Sequence, residues 1–138
     1  MTFKVLIVDD SKTIRFVVSQ LLEKHDLETR QARNGQEALE VLVDDPAVDV
    51  VITDVHLLGL VSGEKLIELI QRQPAARRVP VIVLSTLATK DVQLRCLGLG
   101  ASAFVSKPWD NELFVATVHT LARNFRGLHP VGAGAPIG

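Results

Sequence analysis

The sequence predicts an α/β fold in which a parallel sheet is covered by helices on both faces. Strand-like and helix-like segments alternate five times along the 138 residues, with short connections. The first, third and fourth strand-like segments are continuous apolar runs rich in β-branched residues, as expected for strands buried on both faces. The first and third runs end on the carboxylates Asp9-Asp10 and Asp54. Because open α/β sheets place their chemistry at the carboxyl ends of the strands, we expect the functional residues at one edge of the sheet.

The first half of the chain contains three predicted strands and the two helices between them. Ser11 can cap the first helix, because a serine hydroxyl accepts a backbone N–H of the first turn. Glu28 and Arg30 make the second strand less apolar, which favours a place near the sheet edge. Asn34-Gly35 begins the second helix. These elements span residues 3–8, 12–24, 27–32, 34–44 and 48–54. The predicted inward residues are Ile14, Val17, Val18, Leu21 and Leu22 in the first helix and Ala38, Leu39 and Leu42 in the second.

The second half contains a loop, three further helices and two further strands. Pro80 suits the first position of a strand, where a missing N–H matters least. Gly100 ends the fourth helix, in which Cys96 is a small core residue, and Asp110 can cap the last helix. After the loop, 56–63, these elements span residues 64–73, 80–85, 89–99, 103–106 and 111–125. The predicted inward residues are Leu66, Leu69 and Ile70 in the third helix and Leu113, Val118, Leu121 and Phe125 in the last.

Composition and charge give no sign of a nucleic-acid-binding, membrane-spanning or disulfide-bonded protein. The net charge of −1 gives no electrostatic footprint for nucleic acid or an anionic membrane. No apolar run is long enough to span a bilayer, the single cysteine excludes an internal disulfide, and no leader precedes the first strand. We therefore expect a cytoplasmic protein with one domain at 1–126. Residues 127–138, with four Gly and two Pro, predict a flexible tail that is either a plain terminus or the start of a linker.

The carboxylates at the predicted strand ends suggest a cation site. Two such charges about 5 Å apart repel by roughly 3 kcal/mol at an effective dielectric of about 20. A divalent cation with a preference for oxygen, such as Mg²⁺, would relieve the repulsion and could bridge to a phosphate. The simpler alternative is that Asp9 and Asp10 only begin a helix and that Asp54 only ends a strand.

Four features lie at or just beyond the carboxyl ends of predicted strands one, three, four and five, in that order: Asp9-Asp10, Asp54, the hydroxyl of Ser85, and Lys107 before Pro108. As an ordered set they are specific, and the chain resembles the receiver domain of two-component response regulators of the chemotaxis-regulator type. The resemblance covers residues 4–125. It implies a flavodoxin-like, doubly wound sheet of five parallel strands in the order 2-1-3-4-5 with five helices.

The resemblance also implies a phosphorylation site with a bound metal ion. Asp54 is the implied phosphoacceptor, whose carboxylate attacks phosphorus and becomes an aspartyl phosphate. Asp10 is the implied direct ligand of Mg²⁺ (or Mn²⁺), together with Asp54 and the main-chain carbonyl of His56. Asp9 is implied to bind the ion largely through water.

Three further residues take roles in a switch by the same resemblance. Lys107 is expected to pair with Asp54 and then with a phosphoryl oxygen, and Ser85 to donate its hydroxyl to another. Phe104 stands at the position of the switch aromatic, which turns inward when Ser85 moves toward the phosphate. Without the resemblance, Lys107 would be a solvated surface lysine, Ser85 an ordinary strand end and Phe104 a core residue.

The implied function is a phosphorylatable switch and not an enzyme, apart from Mg-dependent self-phosphorylation and self-dephosphorylation. The expected partners are a sensor histidine kinase or phosphotransfer protein, and a downstream protein that contacts the fourth helix, fifth strand and fifth helix. We expect no contact with nucleic acid or membrane, and a monomer or weak dimer.

Three alternatives are a receiver that works without phosphate, a hydrolase with an aspartyl nucleophile, and a flavin carrier of similar topology. The acidic set with Lys107 disfavours the first, and His56, two residues after Asp54, disfavours the second. Asp9-Asp10 would repel a flavin phosphate.

The loop after Asp54 departs from the family pattern. Leu58 stands where the family commonly has proline, and the spacing from Asp54 to Ser85, 31 residues, is one longer than expected. The aliphatic run from Leu57 to Val61 either folds back into the core or contacts a partner. The four histidines, His25, His56, His119 and His129, lack metal-ligand spacing and are expected at the surface.

Overall fold

A computed structural model describes residues 2–130. Five parallel strands form one sheet in the order β2-β1-β3-β4-β5, as predicted. The strands are β1 Phe3–Val8, β2 Leu27–Ala32, β3 Val50–Thr53, β4 Val81–Ser85 and β5 Ala103–Ser106. The helices are α1 Lys12–Glu23, α2 Gly35–Asp44, α3 Gly63–Gln71, α4 Lys90–Leu99 and α5 Asn111–Leu128, and a short 3₁₀ turn, Ala75–Arg77, precedes β4.

The sheet separates two apolar layers because successive strand residues point to opposite faces. In β1, Leu6 and Val8 pack in the layer beneath α2, α3 and α4, whereas Val5 and Ile7 pack in the layer beneath α1 and α5. Every residue of β3 and β4 is buried, which explains why these strands are apolar up to their last residues, Thr53 and Ser85. The central strands thus hold the two layers together, and their carboxyl ends carry Asp54 and Ser85.

The predicted helix starts are confirmed. Ser11, Asn34 and Asp110 each accept the backbone N–H of the residue three positions later, and so cap α1, α2 and α5. Gly100 ends α4 with a φ of 118°, a conformation that glycine adopts without strain. Cys96 is buried in α4, as predicted.

Two predicted inward residues, Val17 and Leu113, are instead exposed. Helical spacing gives the reason for Leu113: counting back three and four residues from the buried Val118 leads to Val115 and Phe114, which are the residues that pack inward. Val17 lies at the margin of the α1 stripe, whose centre is formed by Val18 and Leu22.

The last helix is longer than predicted and ends at Leu128. Its final turn is fixed by Arg126, whose Nε donates to Asp49 Oδ1 at 2.8 Å and whose second nitrogen donates to Asp49 Oδ2. Because Asp49 is buried just before β3, this ion pair attaches the end of α5 to the sheet. The helix therefore passes the predicted domain boundary at 126 by two residues, while the flexible tail stays a prediction whose residues 131–138 lie outside the described residues. No helix between residues 2 and 130 is both long and apolar enough to cross a membrane.

Candidate functional site

Asp54 follows β3 directly and stands at the carboxyl edge of the sheet, with its side chain 18% exposed. Its Oδ1 accepts the main-chain N–H of Val55 at 2.6 Å and the hydroxyl of Ser85 at 2.8 Å. Its Oδ2 accepts the ammonium of Lys107 at 3.0 Å. Three donors therefore fix the orientation of the carboxylate, while part of its surface remains open to solvent.

The backbone behind Asp54 requires a glycine at position 63. A Cβ added to Gly63 would lie 1.8 Å from the carbonyl oxygen of Asp54, far inside van der Waals contact. The N–H of Gly63 donates to the carbonyl of Val55 at 2.9 Å. This close approach presses the start of α3 against the end of β3, so the segment that carries Asp54 is supported from behind.

Lys107 follows β5 and bridges two carboxylates. Its Nζ lies 3.0 Å from Asp9 Oδ2 and 3.0 Å from Asp54 Oδ2, and only 11% of its side chain is exposed. Burial alone lowers the pKa of Lys107, but its hydrogen bonds to Asp9 and Asp54, with their negative charges, outweigh burial and raise that pKa above its ordinary value. Lys107 is therefore a fixed positive charge in the site and not a solvated surface lysine.

The predicted cluster of three carboxylates is not formed in this structure. Asp9 is buried, and its Oδ1 accepts the N–H of Ser11 at 2.9 Å, whereas Asp10 is exposed. Among residues 2–130, no three His, Cys, Asp or Glu side chains come together as a group that could hold a metal ion. The expectation of a three-acid cluster is therefore wrong. The physical reason is that the Lys107 ammonium lies between Asp9 and Asp54 and supplies the positive charge that the sequence argument assigned to a cation.

The donor groups at this edge nonetheless fit a small divalent cation chemically. Asp9, Asp10, Asp54 and the main-chain carbonyl of His56 offer only oxygen atoms, the donors that Mg²⁺ and Mn²⁺ prefer. The carboxylates of Asp9, Asp10 and Asp54 carry three negative charges against one positive charge each on Lys107 and on the buried Arg15, so a formal charge of −1 remains and attracts a cation. The exposure of Asp10 leaves this carboxylate accessible from solvent.

Ser85 is the last residue of β4 and is fully buried. While its hydroxyl donates to Asp54, its oxygen accepts the N–H of Leu87 at 3.1 Å. The hydroxyl therefore links the Asp54 carboxylate to the turn between β4 and α4.

Phe104 lies on β5, at the edge of the sheet, and is half-buried. The ring packs against the apolar layer beneath α2, α3 and α4. It also borders a surface pocket of about 300 Å³, together with Pro108, Trp109 and Leu113. Phe104 thus has packed core on one side and open space on the other, and its role as a switch aromatic stays a prediction.

The loop between β3 and α3 divides its aliphatic residues between core and solvent. Leu57 is buried, and Val61 packs against the core so closely that a Cβ at Gly35 would lie 2.4 Å from the Val61 carbonyl oxygen. Leu58 and Leu60 are 72% and 89% exposed. Leu57 and Val61 therefore fold back into the core, which is one of the two alternatives that the sequence left open. For Leu58 and Leu60, contact with a partner stays a prediction.

The histidines do not contribute a metal site within the described part of the chain. His25 and His56 are exposed, as predicted, and His119 and His129 are half-buried. His119 Nε2 lies 3.0 Å from the carbonyl oxygen of His25, on the far side of the sheet from α3. His56 is the histidine adjacent to the site in sequence, two residues after Asp54.

One site residue, Arg15, was not predicted from the sequence. It is only 8% exposed, and its Nη1 donates to the main-chain carbonyl of Asp9 at 2.6 Å. A signal was present in the sequence: the buried face of α1 consists of Arg15, Val18, Ser19 and Leu22, at helical spacings of three, four and seven residues. The arginine was missed because a charged residue on a helix is usually solvated.

Comparison with known proteins agrees with this geometry. The family model "Response regulator receiver domain" matches residues 5–119. "Two-component response regulator ORR5" of rice is 32% identical over 104 residues, which cover 75% of this chain and 77% of that protein. "Two-component response regulator-like PRR37" of rice is 38% identical over 108 residues, 78% of this chain but only 14% of that protein. The chain thus spans about a seventh of the length of PRR37 and 17% of the Arabidopsis relative APRR7.

Solved structures show the same fold. Vibrio cholerae chemotaxis protein CheY4 is 28% identical with a TM-score of 0.77, over 88% of this chain and 99% of that one. The receiver domain of Francisella response regulator 1452 is 27% identical with a TM-score of 0.78, over 88% and 97% of the two chains. The strand order, the Asp54–Lys107–Ser85 contacts and the family match over 5–119 lead to one assignment: this chain belongs to the response regulator receiver domain family.

Proposed function

We propose that this receiver accepts a phosphoryl group on Asp54 and thereby switches its affinity for a protein partner. The observation that carries the proposal is the carboxylate of Asp54, oriented by Ser85 and Lys107 yet partly open to solvent. A nucleophile that must attack phosphorus needs a fixed orientation and a free approach. Asp54 has both.

The proposed donor is a phosphohistidine on a sensor histidine kinase or on a phosphotransfer protein. An Asp54 oxygen forms a bond to phosphorus as the phosphorus–nitrogen bond to the donor imidazole breaks. The imidazole nitrogen keeps the electron pair and takes a proton, and the product is an acyl phosphate on Asp54. Lys107 provides positive charge next to the incoming phosphoryl oxygens, and its raised pKa keeps it protonated through this step.

Asp10, Asp54 and the main-chain carbonyl of His56 are the residues proposed to hold Mg²⁺ or Mn²⁺, with Asp9 acting through water. The bound ion supplies charge neutralisation for the phosphoryl transfer. The ammonium of Lys107 already pairs with Asp9 and with Asp54. Among the residues that the structure describes, no basic side chain forms an ion pair with the exposed Asp10. We therefore expect Asp10→Asn to weaken divalent-ion binding more than Asp9→Asn.

The proposed switch begins at the Ser85 hydroxyl. After phosphorylation this hydroxyl donates to a phosphoryl oxygen and the β4–α4 turn follows through the bond to Leu87. Phe104 then turns inward into the space that the turn has left. The local charge at Asp54 thus selects between two packings of one surface.

The surface proposed to bind the downstream target comprises α4, β5 and α5. It carries large apolar side chains that the fold does not bury: Leu94, Leu97 and Leu113 are 58%, 43% and 69% exposed. Val92 and Cys96 fill the inner face of α4, so the leucines on its outer face are not needed for the core. Exposed apolar patches of this kind mark protein interaction sites. Contacts with nucleic acid or membrane are not part of the proposal.

Titration with beryllofluoride in the presence of Mg²⁺ tests the proposal, because this complex mimics an aspartyl phosphate. The single tryptophan, Trp109, lies two residues after Lys107 and borders the pocket beside Phe104, so its fluorescence reports on this surface. We expect a saturable change, beyond any change that Mg²⁺ alone causes, that requires both reagents and is absent in Asp54→Asn. A protein whose fluorescence and partner capture do not respond, or an Asp54→Asn variant that responds like the wild type, would contradict the proposal.

A further inference from the structure

Arg15 is a buried arginine beside the phosphorylation site for which the proposed chemistry gives no role. Its guanidinium donates to the main-chain carbonyl of Asp9 at 2.6 Å and to the Gln31 side-chain oxygen at 3.2 Å. No carboxylate of residues 2–130 forms an ion pair with it. A buried charge without an ionic partner is costly. Its bonds to neutral oxygens therefore point to a positioning task.

The carbonyl that Arg15 holds is one that secondary structure cannot satisfy. The N–H of Asp9 still belongs to the sheet, because it donates to the carbonyl of Ala32 at 3.2 Å. The helical bonds of α1 begin two residues after Asp9, with the N–H of Arg15 donating to the carbonyl of Ser11 at 3.0 Å. The Asp9 carbonyl thus falls between the last strand bond and the first helix bond. Without the guanidinium it would be a buried acceptor with no partner.

This carbonyl belongs to the peptide that joins Asp9 to Asp10. The orientation of that peptide determines where the side chains of Asp9 and Asp10 lie as the chain turns from β1 into α1. On the Asp9 side the turn is also fixed by the bond from the Ser11 N–H to the Asp9 carboxylate, at 2.9 Å. On the Asp10 side Arg15 is the side chain that fixes it, and Gln31, from β2, in turn orients the guanidinium.

We infer that Arg15 is a positioning residue for divalent-cation binding, which holds the Asp9–Asp10 peptide so that Asp10 can serve as the metal ligand. The inference rests on the proposed function, because Asp10 is there the direct ligand of Mg²⁺. It adds a residue of α1 and one of β2, Gln31, to the parts of the molecule on which phosphorylation depends.

Two physical effects of Arg15 on Mg²⁺ affinity have opposite signs, which makes the inference testable. As a positive charge, Arg15 repels the cation, so removal of the charge alone would tighten Mg²⁺ binding. As a clamp on the Asp9–Asp10 peptide, it favours binding, so loss of the clamp weakens it. We expect the clamp to change Mg²⁺ affinity more than the charge does. The guanidinium is held in a fixed geometry by two oxygen acceptors, whereas its charge acts on the ion through a partly solvated site.

The experiment measures Mg²⁺ affinity by calorimetry, and by Trp109 fluorescence, in the wild type, Arg15→Met, Arg15→Lys and Gln31→Leu. We expect about tenfold weaker binding in Arg15→Met, a partial recovery in Arg15→Lys, which keeps the charge and one donor, and about threefold weaker binding in Gln31→Leu. Phosphorylation by acetyl phosphate should require correspondingly more Mg²⁺ but reach the wild-type rate at saturation, because Asp54 and Lys107 are unchanged.

The matched control is Arg126→Met, which removes a half-buried arginine at the opposite end of the sheet. It should lower stability without changing Mg²⁺ affinity, so a general loss of stability is distinguished from loss of the clamp. Unchanged or tighter Mg²⁺ binding in Arg15→Met would overturn the inference, as would an equal loss in Arg126→Met. Should Arg15→Met not fold, Gln31→Leu with wild-type affinity would overturn it. A wild type that binds no Mg²⁺ would instead contradict the proposed function.

Discussion

Replacement of Lys107 by methionine removes the charge of the bridge while keeping a side chain of similar length. In the wild type, Asp9 Oδ2 and Asp54 Oδ2 each lie 3.0 Å from the same Lys107 nitrogen, so these two oxygens are at most 6.0 Å apart. Without the ammonium, two carboxylates at that distance repel by about 3 kcal/mol at an effective dielectric of about 20. We therefore expect Lys107→Met to lower the free energy of unfolding by about 3 kcal/mol in the absence of divalent ions, in the range seen when one partner of a buried ion pair is removed.

The assay is urea denaturation followed by circular dichroism, with EDTA and then with Mg²⁺. Mg²⁺ should recover part of the lost stability, because the cation takes over the neutralising role of Lys107 and binds only the folded state. Lys65→Met is the control: Lys65 pairs with Glu68 at 3.7 Å at the exposed surface of α3, and its loss should change stability by less than about 0.5 kcal/mol. A Lys107→Met protein no less stable than the control, or one that Mg²⁺ does not stabilise more than the wild type, would refute the electrostatic reasoning.

The pH dependence of this effect follows from the raised pKa of Lys107. A group whose pKa is higher in the folded state than in the unfolded state stabilises the fold fully below the unfolded pKa, about 10.4 for lysine. That stabilisation is lost as the pH rises through the higher, folded-state pKa. The stability difference between wild type and Lys107→Met should therefore be constant from about pH 7 to 10 and shrink at higher pH. A difference that already shrinks below about pH 9 would mean that Lys107 is not held by the two acids.

Four further predictions concern the surroundings of Asp54. Gly63→Ala should lower the free energy of unfolding by more than about 3 kcal/mol, since its Cβ would overlap a backbone oxygen; a loss below about 1 kcal/mol in urea denaturation would contradict this reasoning. Thr86→Ala should speed phosphorylation or dephosphorylation with a small phosphodonor if the side chain of Thr86, which is exposed and follows Ser85, narrows the approach to Asp54; equal or slower rates in the variant count against such gating. His56→Ala should change the lifetime of the aspartyl phosphate if His56 lies near the path of attacking water; an unchanged hydrolysis rate removes that role. The double variant Leu58→Ser, Leu60→Ser should leave stability within about 0.5 kcal/mol and phosphorylation by acetyl phosphate unaltered, while slowing transfer from a phosphotransfer protein, and equal transfer rates would exclude partner contact.

Most of the fold could be predicted because its signals are local. Apolar runs, capping residues and Gly100 locate each strand and helix, and alternation of strands with helices implies a parallel sheet. The errors arose where a side chain's surroundings come from distant parts of the chain. The end of α5 depends on the pair between Arg126 and Asp49, which are 77 residues apart, and no local pattern at position 126 indicates it.

The site shows the same division between local and distant information. Asp54, Ser85 and Lys107 could be predicted because each lies at or just beyond the carboxyl end of a strand, and parallel strands bring these ends to one edge of the sheet. The sequence could not show that Lys107 would lie between Asp9 and Asp54, because that depends on how the end of β5 approaches β1 and β3 across the sheet. Arg15 was missed for a related reason: its acceptors, Asp9 just after β1 and Gln31 on β2, lie outside its own helix.

The most direct test of the account is chemical mapping of the phosphorylated residue. The protein is incubated with acetyl phosphate and Mg²⁺, the acyl phosphate is reduced with borohydride, and the modified position is located by peptide mass spectrometry. We expect one modified residue, Asp54, whose acyl phosphate forms only with Mg²⁺ and is absent in Asp54→Asn. Modification at another carboxylate, or a wild type that stays unmodified under these conditions, would contradict it.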